Sequence, residues 1–274
     1  MTRRRTASPK GSPGRRETHE GWYSHFLGNH RTLTVYLPPG YDDAKRRYPV
    51  LYLHDGQNLF DPARASYGVT WNADATAERL ILARRIPPLL LVGIDHTPDR
   101  EDEYGYHRDA EEQTGGRGPL YARFVLEEVK PFIDGRYRTR RDRRDTAVAG
   151  SSMGGLVSLS MAREHSACFG LCGVVSPSLW WAGGAALQEI EDGDPAWMRR
   201  MRFWLDMGTR EDGARVRGHV TPSIRSTRRL VACFDAAGLN PGRDYLYWEV
   251  AGGEHNEAAW AARFDKMLLY FFGQ

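Results

Sequence analysis

Two hydrophobic rhythms take turns along this chain. HRTLTVYLPPG places Leu33, Val35 and Leu37 at every second position before Pro38 and Pro39 stop the run, which predicts a strand. Short apolar runs bounded by polar or turn residues predict further buried strands at YPVLYLH (48–54), PLLLVGID (88–95), DTAVAG (145–150), GLCGVVS (170–176), RFWLDMG (202–208) and DYLYWEVAG (244–252). Between them, apolar residues recur at helical intervals in WNADATAERLILARRI (71–86), PLYARFVLEEVKPFIDGRY (119–137), SMGGLVSLSMAREH (152–165), VTPSIRSTRRLVACFDAAG (220–238) and NEAAWAARFDKMLLYFF (256–272). Alternation of this kind predicts an α/β domain with a largely parallel sheet and helices on both faces.

Length changes the picture little: 274 residues suit one large domain. Charge changes it more. Six basic residues against Glu17 and Glu20 give residues 1–20 a net +4, so the formal +3 of the chain leaves the rest at −1. A near-neutral body carries no electrostatic footprint for nucleic acid, and none is expected as a partner. The opening MTRRRTASPKGSPGRR has no apolar run for a secretory signal and no apolar face for a transit helix. Residues 1–20 are therefore expected to be a disordered basic tail, with the catalytic domain over 21–274. No segment reaches the roughly 20 apolar residues that span a bilayer, so no membrane partner is expected. Three cysteines without a CxxC pair read as buried thiols in a reducing compartment, and the expected setting is the cytoplasm.

The candidate chemistry begins at AGSSMGGL (149–156), between a predicted strand and a predicted helix. A G-x-S-x-G elbow puts a serine on a tight strand-to-helix turn, with small residues two before and two after because the chain passes close to itself. Ser152 has Gly150 and Gly154 in those places, whereas Ser151 has Ala149 and Met153. Ser152 is the candidate nucleophile, and the amide of Met153, at the start of a helix, is a candidate oxyanion donor. A serine needs a base and an acid that orients the base, in the chain order Ser, Asp or Glu, His. Of the later histidines, His165 ends the helix after the serine and His219 precedes a helix. Only His255 follows the last strand. Glu211 and Asp212 lie just past the end of FWLDMG, at the carboxyl edge of the sheet where α/β sites assemble. Glu211 is preferred as the acid, with Asp212 as the alternative. VLYLHDGQNLF supplies the second oxyanion turn, with Gln57 as the donor amide. His54 and Asp55 lack the further ligands that a metal site needs, and neither metal nor cofactor is expected.

With these residues in place the chain resembles the putative-esterase family of the α/β-hydrolases, which includes esterase D-like, ferulate and enterochelin esterases. The segments that carry the likeness are YPVLYLHDGQNLF, PLLLVGIDHTPDREDEY, FVLEEVKPFIDGRYRT, AGSSMGGLVSL, VVSPSLWW, LDMGTRED and GGEHNEAAW. The resemblance implies an α/β-hydrolase fold and a serine carboxylesterase working through an acyl-enzyme. It places the acid three residues after Gly208, at Glu211, and departs from the family's His-Gly turn by inserting Asp55. It also suggests a cleft in which Asn58, Trp71, Tyr104, Trp180 and Trp181 bind substrate. Arg100 and Glu103 read as loop-fixing ion-pair partners. The short stretch between SPSLWW and FWLDMG leaves no room for a large cap, so an open site is expected, one that favours a bulky or polymer-attached ester over a buried small one; the expected partner is a small-molecule or polymer-attached ester substrate. An acyltransferase with the same triad and a siderophore trilactone esterase remain as alternatives, and the oligomeric state is open.

Overall fold

The computed structural model describes residues 12–212 and 220–273. Eight strands form one sheet: β1 (Arg15–Ser24), β2 (Asn29–Leu37), β3 (Val50–His54), β4 (Leu90–Ile94), β5 (Thr146–Ser151), β6 (Leu171–Val175), β7 (Arg202–Gly208) and β8 (Tyr245–Val250). Their spatial order is β1-β2-β4-β3-β5-β6-β7-β8; β1 and β2 run antiparallel to their neighbours, and β3 to β8 are parallel. Each parallel step needs a crossover, and the helices supply it: α1 (Ala73–Leu82), α2 (Arg100–Tyr104), α3 (Gly118–Arg123), α4 (Lys130–Arg136), α5 (Met153–Glu164), α6 (Trp181–Asp192), α7 (Pro222–Ala236) and α8 (Glu257–Phe272).

The central strands β3 to β7 are buried on both sides, which is why they read as continuous apolar runs. In β3, Val50 and Tyr52 enter one core with α3, α5 and α7, while Leu51 and Leu53 enter a second core under α1 and α8. The helical stretch 119–137 is not uniform. Phe124–Val129 takes π pairing between α3 and α4, directly before Pro131, whose missing amide cannot serve the carbonyl of Glu127. The interval between SPSLWW and β7 holds only α6 and a 3₁₀ stretch, Pro195–Arg200.

One boundary requires correction. Residues 15–20, expected within a disordered tail, form most of β1, and residues 1–11 lie outside the described residues. RRETHEGWYS gives no apolar alternation because it is an edge strand, held by pairing to β2 and by side chains reaching one face. Tyr137 donates its hydroxyl to Glu17 at 2.7 Å, and His19 and Trp22 pack on Phe132.

A buried ion pair joins the antiparallel part of the sheet to α2. Arg31 donates to Glu103 at 2.9 Å with both side chains fully buried, and Asn29 donates to the same carboxylate oxygen at 2.6 Å. The guanidinium lies 4.6 Å over the Phe124 ring. Removing one member strands the other charge, so Arg31→Met is expected to lose about 3–5 kcal/mol of stability in urea unfolding. Arg31→Met combined with Glu103→Gln should recover much of that loss in the same measurement.

Candidate active site

β5 ends at Ser151 and α5 begins at Met153, so Ser152 alone makes the turn between them. Its backbone sits at φ 58°, ψ −124°, a region that a residue with a side chain enters only under constraint. The neighbours impose it. A Cβ at Gly150 would stand 2.8 Å from the carbonyl carbon and oxygen of Gly154, so this crossing needs glycine at 150, while a Cβ at Gly154 would press at 3.2 Å on the Asp55 carboxylate. Ser152 donates its amide to Val175 O at 3.0 Å and accepts from Ser178 N at 3.1 Å, which pins the turn to the end of β6. Met153 is the first residue of α5, where an amide has no intrahelical acceptor and the helix end carries partial positive charge.

Two loops at the carboxyl edge bring the other groups to this serine. The loop after β7 and the loop after β8 are zipped together, Thr209 N donating to Val250 O at 3.0 Å and Arg210 N to Gly253 O at 2.9 Å. A Cβ on Gly208 would collide with Gly253 O and Glu211 Oε1, so this crossing also requires glycine. His255 then spans the gap: Nε2 lies 2.9 Å from Ser152 Oγ and Nδ1 lies 2.9 Å from Glu211 Oε2. Trp260 stands edge-on to the imidazole at 5.0 Å. The Glu211 side chain is 2% exposed and that of His255 38%. Asp212 is committed elsewhere: its Oδ1 accepts from Ser223 Oγ at 2.8 Å, at the start of α7. His219 lies outside the described residues.

The turn after β3 is shaped by a clamp from α2. Asp55 adopts a left-handed backbone (φ 56°, ψ 48°) and leads into the 3₁₀ turn Gly56–Asn58. Arg100 binds its carboxylate with two hydrogen bonds, Nε to Oδ1 at 2.7 Å and Nη2 to Oδ2 at 2.8 Å, and Asp55 N donates to Tyr104 Oη at 3.2 Å. Burial works to raise the Asp55 carboxyl, but the Arg100 charge outweighs it and holds the group below the usual range. His54 is buried, with Nδ1 2.8 Å from Tyr121 Oη, and burial lowers its imidazole to about 4, so it stays neutral near pH 7. Gln57 accepts from His96 N through Oε1 at 3.1 Å, which leaves its side chain facing away from chemistry and its amide at the turn. Arg100 and Glu103 are both ion-paired within the fold, as the loop-fixing reading expects.

Beside Ser152 and His255 opens a cavity of about 700 Å³, with Asn58, Tyr67, Trp71, His96 and Glu257 among its lining. Asn58 also bridges two loops, donating to Glu257 Oε1 at 3.2 Å and accepting from Ser66 N at 2.9 Å. Three of the expected cleft residues are elsewhere. Trp181 opens α6, turns into the core and donates Nε1 to His107 O at 2.8 Å. Tyr104 is fully buried against His54 and Tyr121, its hydroxyl occupied by the Asp55 amide. Trp180 is 57% exposed and stands outside the cavity lining. Adjacent aromatics on a turn point in different directions, and sequence adjacency cannot tell which faces the cleft.

The structure adds residues that the sequence reading passed over. Ser178 Oγ lies 3.2 Å from Ser152 Oγ, and Ser176 Oγ donates to Glu211 Oε1 at 2.6 Å. Arg263 and Asp206, both buried, lie behind Glu211. Arg263 had a visible signal: it interrupts the apolar stripe of Trp260, Phe264, Met267 and Phe271 on α8. Among the described residues no cluster of three or more His, Cys, Asp or Glu could hold a metal ion, and no helix is long and apolar enough to cross a membrane.

Comparison with known proteins agrees with this architecture. The family model described as Putative esterase matches residues 24–271. YbbA of Bacillus subtilis, an uncharacterized protein, is 25% identical over 255 residues, covering 91% of this chain and 95% of that one. The iron(III) salmochelin esterase of Escherichia coli is 27% identical over 82% of this chain, which spans 53% of the longer relative. A solved ferulic acid esterase superposes with a TM-score of 0.73 at 20% identity, covering 95% of this chain and 98% of its own. With the match running from β1 through α8, the chain belongs to the Putative esterase family, ester hydrolases of the α/β-hydrolase fold.

Proposed function

We propose that this protein is a serine carboxylesterase that hydrolyses a carboxylic ester through an acyl-enzyme. The observation that carries the reading is His255, whose two ring nitrogens each lie 2.9 Å from a partner, Ser152 Oγ on one side and Glu211 Oε2 on the other. Ser152 Oγ attacks the ester carbonyl while His255 Nε2 takes the hydroxyl proton. Glu211 orients the imidazole through Nδ1 and stabilises the imidazolium as it forms. The oxyanion is received by the amides of Met153, at the helix end, and Gln57, in the clamped turn. His255 then protonates the departing alkoxide, leaving the acyl group on Ser152. Water enters, gives a proton back to His255, and the acid is released as Ser152 recovers its own.

The acyl or alcohol part lies in the cavity along Asn58 and Trp71, which opens to solvent without a lid among the described residues. Two similar proteins carry the names of different esters, iron(III) salmochelin esterase and ferulic acid esterase. The shared element is the carboxylic ester, and that is the class proposed here.

Ser152→Ala should reduce hydrolysis of a p-nitrophenyl acyl ester by about 10⁴-fold or more, and should abolish the acyl adduct seen by mass spectrometry after acid quench. Full activity in that variant would overturn the reading. Between the two neighbouring acids, Glu211→Gln should lower kcat by about 10²–10⁴-fold while Asp212→Asn stays within about threefold. Steady-state kinetics on the two variants checks this, and the opposite ranking would move the role to Asp212.

A further inference from the structure

Behind the candidate triad lies a second tier of charge that ester hydrolysis as described does not use. Arg263, on the second turn of α8, has a side chain only 2% exposed and stands between two buried carboxylates. Its Nε is 2.9 Å from Asp206 Oδ1 on β7, a close contact without hydrogen-bond alignment. Its Nη2 is 3.3 Å from Glu211 Oε1 and donates to Ser176 Oγ at 2.5 Å. Ser176 accepts a further bond from Trp260 Nε1 at 3.1 Å, and donates its own hydroxyl to Glu211 Oε1 at 2.6 Å. Gly208 N also donates to Glu211 Oε1, at 2.6 Å. One oxygen of Glu211 is thus fully occupied, and the other is left for His255.

Resting on the serine esterase reading, we propose that Arg263 is a positioning residue for the triad. Shared between Asp206 and Glu211, it holds Glu211 Oε2 toward His255 and limits the buried pocket to a single net negative charge. Among the described residues the charged groups behind His255 are Asp206 from β7, Glu211 from the loop after it and Arg263 from α8, while Glu257 at the start of α8 faces the imidazole from the cavity side and is unchanged in every variant compared below. Two carboxylates and one guanidinium leave −1, and a proton arriving on His255 brings the pocket to zero. Without the guanidinium the pocket would hold −2 in a region shielded from water, which would favour a proton on His255 more strongly than the wild-type pocket does. Burial already pushes the Asp206 carboxyl up to about 6 with Arg263 beside it.

The proposal predicts limb shifts of opposite sign in the pH profile of kcat/KM. Asp206→Asn removes one negative charge, so the imidazolium loses support and the acid limb should move down by about 0.5–1 pH unit. Arg263→Met should move the limb up by a similar amount and lower kcat by about 10–100-fold, with KM within twofold. Combining the two substitutions returns the pocket to −1, so the limb should return toward wild type and kcat should rise about tenfold above Arg263→Met alone. A generally loosened fold would not give shifts of opposite sign. Coincident limbs, or shifts in one direction, overturn the proposal. Should Arg263→Met not fold, Asp206→Asn and the double variant carry the test: a lowered limb in the first with a near wild-type limb in the second supports it, and any other pair of results overturns it. Ser152→Ala, run alongside, separates the two levels. Retained activity there overturns the serine reading and this assignment together, whereas lost activity with unmoved limbs overturns the assignment alone.

Discussion

The close crossing of β5 and α5 at Gly150 and Gly154 is the constraint on which the rest depends. Because the backbones approach within 3 Å of where a Cβ would sit, the residue between them is driven to φ 58°. That conformation costs on the order of 1–3 kcal/mol, and it persists only where surrounding structure over-determines it. Here the end of β6 holds the amide of Ser152 through Val175, and the turn that follows holds its carbonyl through Ser178. The result is a hydroxyl at the positive end of a twelve-residue helix, within hydrogen-bond reach of His255 and Ser178.

Everything else at the carboxyl edge brings groups to that fixed point, and buried charge does much of the holding. Arg31 fixes α2 through Glu103; α2 then fixes the Asp55 turn through Arg100 and Tyr104. On the opposite side, α8 contributes Trp260 beside the imidazole and Arg263 beneath the acid, one helical turn apart. Two helices from different faces of the sheet thus hold the two loops that flank the serine. Each buried charge has a partner, as burial in a low-dielectric interior demands.

Much of this was legible from spacing alone. Strand and helix periods are clear wherever one side of an element meets the core, and the glycine pattern around Ser152 is a direct statement of steric need. The order serine, acid, histidine came from the strand-to-helix elbow pattern, and the strand ends then singled out Ser152, Glu211 and His255, which the structure brings within hydrogen-bond distance of one another. What stayed hidden has common physical causes. β1 is polar on both sides, since an edge strand can be stabilised by pairing and by side chains such as Tyr137 that arrive from more than a hundred residues away. Trp180 and Trp181 differ in fate by a single step of backbone rotation, which no local pattern records. Tyr104 looked like a cleft aromatic but is a buried strut, because its hydroxyl serves the Asp55 amide. The Arg263 pairing was half visible: a charge in an apolar stripe announces a buried partner without saying which.

The exposure of the imidazole carries a consequence of its own. His255 keeps more than a third of its side chain in contact with solvent, while Glu211 behind it is sealed. An acyl group resting on Ser152 would stand beside bulk water at its full concentration of tens of molar. For any other alcohol to capture that acyl group, it would have to be held at the mouth of the cavity by contacts of its own, since among the described residues nothing covers the imidazole. On the proposed acyl-enzyme reading, that exposure would favour water as the acceptor, and transfer to another alcohol would have to be achieved by binding rather than by exclusion.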